Sequence, residues 1–205
     1  MTPGAAVMGL KAVLFDMDGT VVDVPYDWPR IKKDMATGGD PILSHLQKLS
    51  EPERSRKWKI LEDYEEEATS GAHLKEGVIS LLAYLKKKAV LTALVTNNSR
   101  KNVDLLLRRF QLRFDRILSR ECGLWKPSGA PFTFVMRDWA LSPHECCAVG
   151  DSLFDVRAAK EAAISRILIV NEDSRPFLAT GAEVFPSIPA LHRRLQDLIE
   201  QGPLI

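Results

Sequence analysis

Five short apolar runs, each followed by a polar loop and an amphipathic stretch, restrict this chain more than any other feature. They fall at 11–15, 90–96, 116–119, 146–150 and 166–170. Their apolar residues occupy successive positions rather than alternate ones, as in strands covered on both faces. The segments at 78–88, 100–110, 130–141, 152–163 and 188–201 have helical periodicity, with one apolar face and one polar face. Parallel strands need crossover connections, and a helical crossover packs back onto its sheet with one hand. The expected fold class is therefore α/β, a doubly wound parallel sheet with helices on both faces.

One stretch breaks the rhythm. Between residues 24 and 77 there is no strand-like run, only helix-like pieces such as 41–49 and 52–69. Gly38-Gly39-Asp40-Pro41 and Ser70-Gly71 punctuate it as turns. The second piece carries Arg54, Arg56, Lys57 and Lys59, then Glu62, Asp63, Glu65, Glu66 and Glu67, which fits a solvated helix face. The expected organisation is an α/β core over 1–22 and 77–205, with a small helical cap over 23–76 inserted after the first strand.

Composition narrows the partners. The 28 Lys and Arg nearly balance the 27 Asp and Glu, a net charge of +1, so no basic footprint invites nucleic acid or an anionic membrane. No apolar run approaches the ~20 residues needed to span a bilayer. The apolar segment before Phe15 ends at Asp16 and Asp18, and no basic residue precedes Lys11, unlike a secretory signal. Cys122, Cys146 and Cys147 lack metal-type spacing, and their odd number argues against a disulfide framework. A cytoplasmic protein is expected, a monomer or weak dimer, with neither nucleic acid nor membrane as partner.

Ligands of open parallel sheets bind at the carboxyl ends of the strands. The first run is followed there by Asp16-Met17-Asp18-Gly19-Thr20, the second by Thr96-Asn97-Asn98, and the 146–150 run by Asp151-Ser152 with Asp155 one turn on; Lys126 lies in the loop before 130–141. Taken singly, Asp-x-Asp-Gly-Thr could be a turn and Asp151-Ser152 a helix cap. Together they converge on one rim with complementary chemistry. Asp16 and Asp151 offer hard oxygens, and a backbone carbonyl near Asp18 another, a set that suits Mg²⁺ with positions left for water or phosphate. No His or Cys is placed to favour zinc. Lys126 would offset charge on a phosphoryl group, while Thr96 and nearby N–H groups would hold its oxygens. A central carboxylate can attack phosphorus, and a second, two residues on, can move protons for the leaving group and for water.

These segments resemble the four signature motifs of the haloacid dehalogenase (HAD) superfamily, in the order of that family, across residues 11–170. The resemblance implies a Rossmann-like core and a hydrolase with a small helical cap, similar to phosphoglycolate phosphatases. It implies Asp16 as nucleophile, Asp18 as general acid and base, and Thr96, Asn97 and Lys126 as phosphate binders. Asp16, Asp151 and the Asp18 backbone oxygen would hold Mg²⁺, with Asp155 as a supporting acid. Two departures stand out: Gly129 replaces the second proline of the common Lys-Pro-x-Pro-x-x-Phe pattern while Phe132 is retained, and Glu76-Gly77 stands where Pro-Gly is frequent.

The expected activity is magnesium-dependent hydrolysis of a small phosphorylated metabolite through an aspartyl phosphate. A phosphomutase of the β-phosphoglucomutase type shares every core residue. A haloacid dehalogenase would need neither Asp18 nor Asp151. A receiver-type phospho-accepting domain would place its acceptor after a middle strand of a shorter chain. Tyr26, Trp28, Arg30, Lys32 and Lys33 follow the first motif and are candidates to face a substrate, with packing and solvation as the alternative.

Overall fold

The computed structural model describes residues 9–200. The expected helix end at Gln201 and the outermost core segments, 1–8 and 201–205, lie outside the described residues. The elements are β1 (Ala12–Phe15), β2 (Val22–Asp23), α1 (Trp28–Met35), α2 (Ile42–Lys48), α3 (Glu53–Ser70), β3 (His73–Leu74), α4 (Val78–Lys87), β4 (Leu91–Val95), α5 (Arg100–Arg109), β5 (Arg116–Leu118), α6 (Ala130–Asp138), β6 (Cys146–Gly150), α7 (Leu153–Glu161), β7 (Arg166–Val170), β8 (Glu183–Phe185) and α8 (Ile188–Glu200).

Six strands form one parallel sheet in the order β5-β4-β1-β6-β7-β8. Because successive side chains alternate across a strand, Val13 and Phe15 enter a core under α4, α5 and α8. Ala12 and Leu14 enter a second core under α6 and α7. Burial on both faces is why these strands appear in the sequence as unbroken apolar runs. Phe15 pairs with Leu94 on one side and Val149 on the other. This register brings the residues after β1, β4 and β6 to one edge, where the strand order diverges in both directions from β1.

Two features depart from expectation. The segment 24–77 does contain a strand, since β3 pairs antiparallel with β2 and closes the base of the insertion. β8 is a three-residue edge strand with Glu183 exposed and Val184 and Phe185 half-buried, so no apolar run marks it. α1 starts where Asp27 accepts a hydrogen bond from the Arg30 N–H at 3.1 Å, with Pro29 in its first turn.

The inserted helices share a core of Ile31, Met35, Leu43, Leu46 and Leu61. The charged face of α3 is not wholly solvated, because Lys57 and Glu65 are buried. The Lys57 ammonium donates to the Asp34 carbonyl at 2.6 Å. Glu65 accepts two bonds from Arg120, at 2.7 and 2.9 Å, which joins α3 to the segment after β5. The Arg120 guanidinium also lies over the Trp58 ring, 4.9 Å from its centroid.

Candidate active site

β1 ends at Phe15 and delivers Asp16 to the strand edge, where the Asp16 N–H donates to the Val149 carbonyl at 2.8 Å. The Asp16 carboxylate is buried, with Oδ1 2.6 Å from the Lys126 ammonium. The same ammonium lies 2.6 Å from Asp155 Oδ1. The other oxygen of Asp155 accepts from the Ser152 hydroxyl at 2.7 Å and from the Ser152 and Asp151 N–H groups at 3.1 and 3.3 Å. Asp155 thus caps α7 and anchors Lys126 at once.

The loop after β1 turns tightly enough that glycine is required. Gly19 has φ +78°, and a Cβ there would lie 2.1 Å from Asp151 Oδ2. Asp18 is thereby brought to Thr96, whose hydroxyl donates to Asp18 Oδ2 at 3.5 Å, and to Asn98, whose amide reaches both carboxylate oxygens at 3.2 Å. The orientation of Asn98 is dictated by its own Oδ1, which accepts from the Ser99 N–H at 2.7 Å and the Asn102 amide at 3.1 Å. Its NH₂ group is left to donate to Asp18 and, at 2.9 Å, to the Tyr26 hydroxyl.

Four carboxylates therefore face one ammonium. Burial, and then neighbouring acids, push Asp16 well above the usual carboxylate range in spite of Lys126. Burial raises Asp18 to about 6 against the hydrogen bonds of Asn98 and Thr96, and burial with Asp155 raises Asp151 to about 7. Burial alone would lower Lys126, but Asp155 and Asp16 outweigh it and hold the ammonium above its ordinary range. One oxygen each of Asp16, Asp151 and Asp155 lie within 4.8 Å of one another. Both oxygens of Asp155 are already hydrogen-bonded, so Asp16 and Asp151 are the acids with oxygens to spare. An all-oxygen set short of positive charge fits Mg²⁺.

The residues of the four motifs reach this rim: Asp16, Asp18, Thr96, Asn97, Lys126 and Asp151 all line one cavity of about 580 Å³, with Asp155 behind Lys126. The Asn97 side chain is committed to the backbone of Lys126, donating to its carbonyl at 2.8 Å and accepting from its N–H at 2.9 Å; it shapes the loop that carries the ammonium. Of the candidates after the first motif, Tyr26, Trp28 and Lys32 line the cavity, and Arg30 and Lys33 do not. Asn98, which the sequence places on the rim without a role, is the residue that orients Asp18; its adjacency to Thr96-Asn97 was the one available signal. Gly129 has a steric reason: a Cβ there would lie 2.6 Å from the Ala162 nitrogen and 2.9 Å from the Ala158 oxygen.

Residues 13–169 match the model of the haloacid dehalogenase-like hydrolases, and the chain belongs to that family. A haloacid dehalogenase-like hydrolase domain-containing protein of Arabidopsis thaliana is 28% identical over 208 residues, spanning 93% of this chain and 84% of the relative. Phosphoglycolate phosphatase 1 of Pseudomonas aeruginosa is 30% identical, spanning 75% of this chain and 67% of the relative. Among solved structures, a Bacteroides vulgatus protein with a provisional β-phosphoglucomutase assignment superposes with a TM-score of 0.73 at 21% identity, covering 95% of this chain and 92% of that one. Among the described residues no helix is long and apolar enough to cross a membrane.

Proposed function

We propose that the protein is a magnesium-dependent phosphatase that hydrolyses small phosphomonoesters through an aspartyl phosphate on Asp16, with residues 23–76 as a cap over the core. It would act in the cytoplasm on a phosphorylated metabolite, as a monomer or weak dimer, without nucleic acid or membrane. The observation that carries this reading is the Lys126 ammonium held 2.6 Å from both Asp16 and Asp155, beside Asp18 and Asp151. A buried cation fixed against a carboxylate at the strand edge is pre-organised for charge that develops on a transferring phosphoryl group.

Asp16 attacks phosphorus, the ester P–O bond breaks, and Asp18 gives its proton to the departing alkoxide. Asp18, now ionised, takes a proton from water as that water attacks the acyl phosphate, which releases inorganic phosphate and restores Asp16. Lys126 and the Thr96 hydroxyl hold the phosphoryl oxygens, and Asn98 fixes the direction of the Asp18 carboxylate. Asp16, Asp151 and the Asp18 backbone oxygen would hold Mg²⁺, which supplies charge neutralisation for the phosphoryl oxygens. The test is phosphate release from sugar, glycolate and nucleotide phosphates, with Mg²⁺ and with EDTA. Release equal to substrate loss, abolished by EDTA, is expected. Isomerisation of a sugar phosphate with little phosphate released would replace the hydrolase with a mutase, and full activity in EDTA would remove the metal from the reading.

A further inference from the structure

The cavity has a charge pattern that phosphoryl transfer does not use. Outside the Asp16, Asp18 and Asp151 group, each acid on its wall already has a cation: Asp23 lies 2.7 Å from Lys75, Asp40 lies 2.6 Å from Lys48, and Glu65 is bound by Arg120. Two cations on the same wall have no such partner. Neither Lys32 of α1 nor Arg157 of α7 has a carboxylate within ion-pairing distance among the described residues. Each sits at helical spacing from an aromatic that lines the cavity too, Lys32 four residues after Trp28 and Arg157 three residues after Phe154. Residues so spaced share a helix face. The inserted helices and the core therefore each present one aromatic and one unpaired cation to the same space.

We infer that this cavity selects phosphomonoesters whose alcohol portion bears a second anionic group, which Lys32 and Arg157 recognise while Trp28 and Phe154 flank its carbon skeleton. The inference rests on the phosphatase reading and adds the class of substrate. The anion would be a carboxylate or a second phosphate, since both accept from ammonium and guanidinium groups. The volume, about 580 Å³, lies in the range of small-molecule sites and leaves room beyond the phosphoryl group. A neutral sugar would leave both cations unanswered. So would a mononucleotide, whose one phosphate is the group at Asp16. Cations on a concave, partly apolar wall attract a charged ligand more strongly than the same groups on open surface.

Three esters test it: ethyl phosphate with a neutral alcohol, phosphoglycolate with a carboxylate, and propane-1,3-diol bisphosphate with a second phosphate. The wild-type protein should show kcat/KM at least about tenfold higher for one or both anionic esters, the scale of one charge-assisted hydrogen bond. Which ester gains identifies the carboxylate or the phosphate. Lys32→Ala and Arg157→Ala should each lower the anionic-to-neutral ratio, mainly through KM, and the double substitution should bring it near one. Lys33→Ala, on α1 but off the cavity wall, should leave the ratio where it was. A ratio near one in the wild type, or one untouched by the double substitution, overturns the inference and leaves the phosphatase reading standing. Calorimetry on Asp16→Asn reads the subsite without turnover: tighter binding of an anionic ester than of ethyl phosphate, lost with Lys32→Ala and Arg157→Ala, supports it, and equal or absent binding overturns it. Absence of hydrolysis of all three esters by the wild type would count against the phosphatase reading, while the calorimetry still decides the subsite.

Discussion

Lys126 and Asp155 meet at 2.6 Å in a position where both are almost wholly buried, and Asp155 is itself tied to the start of α7 through Ser152. The ammonium that would face the phosphoryl group is thus fixed from the far side by a helix cap. Removal of Asp155 leaves Lys126 paired with Asp16 alone and strips α7 of its cap, and a lost charge-assisted hydrogen bond costs ~1.5–3 kcal/mol. Asp155→Ala should therefore lower unfolding stability by about that amount in urea titrations and abolish phosphate release. Asp155→Asn, which keeps the shape, should lose less stability. A variant as stable and active as the wild type would mean that Lys126 needs no such anchor.

Asn98 should matter through Asp18. With both of its amide contacts at 3.2 Å removed, the Asp18 carboxylate is free to turn away from the leaving group. Asn98→Ala should lower kcat by about tenfold or more, a share of the ~10²–10⁴-fold that general acid–base catalysis supplies. The loss should be greatest for alkyl esters and smallest for aryl esters, whose leaving groups need no proton. Equal losses across leaving groups would place Asn98 in substrate binding instead.

The acidic cluster makes the apoprotein sensitive to pH. Burial and Asp155 raise Asp151 to about 7, so its share of stability is present at low pH and is lost as pH rises through about 7. A cation that binds only the folded state reverses the loss, by ~2.7 kcal/mol at a hundred times its Kd. Mg²⁺ should therefore raise Tm more at pH 8 than at pH 6. Asp151→Asn should raise the Tm of the apoprotein at pH 8 and remove most of the Mg²⁺ shift. A Mg²⁺ shift as large in the variant would put the metal elsewhere.

The legible parts of this fold are those where burial leaves a pattern in the chain. β1, β4, β6 and β7 are buried on both faces, so each is an apolar run that ends within a residue of its strand, and the polar residues that follow are the rim. β8 has one exposed and two half-buried residues and leaves no such mark. The site acids were legible because they follow those runs. The role of Asn98 was not, because two adjacent asparagines look alike until one bonds Lys126 and the other bonds Asp18. Glu65 looked solvated among the charges of α3, since its partner Arg120 is 55 residues away in the chain.

Gly129 should not tolerate a proline, the residue that the Lys-Pro-x-Pro-x-x-Phe pattern would place there. A Cβ there meets backbone atoms of α7, the Ala162 nitrogen at 2.6 Å and the Ala158 oxygen at 2.9 Å, and backbone cannot yield as a flexible side chain does. Gly129→Ala and Gly129→Pro should both destabilise the fold, by ~1–3 kcal/mol for an overpacked site, measured as a fall in the urea midpoint. An unchanged midpoint would show that α6 and α7 can separate without cost.

Glu145 links the first and central strands to acid stability. Its carboxylate accepts from the Lys11 ammonium at 2.6 Å and from the Ser142 N–H and hydroxyl, both at 2.8 Å. The Lys11 bond first, then those from Ser142, hold its pKa at about 2, below the ordinary 4.5. A carboxylate depressed on folding stabilises the native state above its unfolded pKa, and that contribution fades as pH falls toward the folded value. Glu145→Gln should lower the urea midpoint at pH 7. The wild-type midpoint should fall more steeply than that of the variant between pH 4.5 and about 2, so that the two curves converge in acid. Parallel curves over that interval would show that Glu145 keeps the same proton affinity in the folded and unfolded chain.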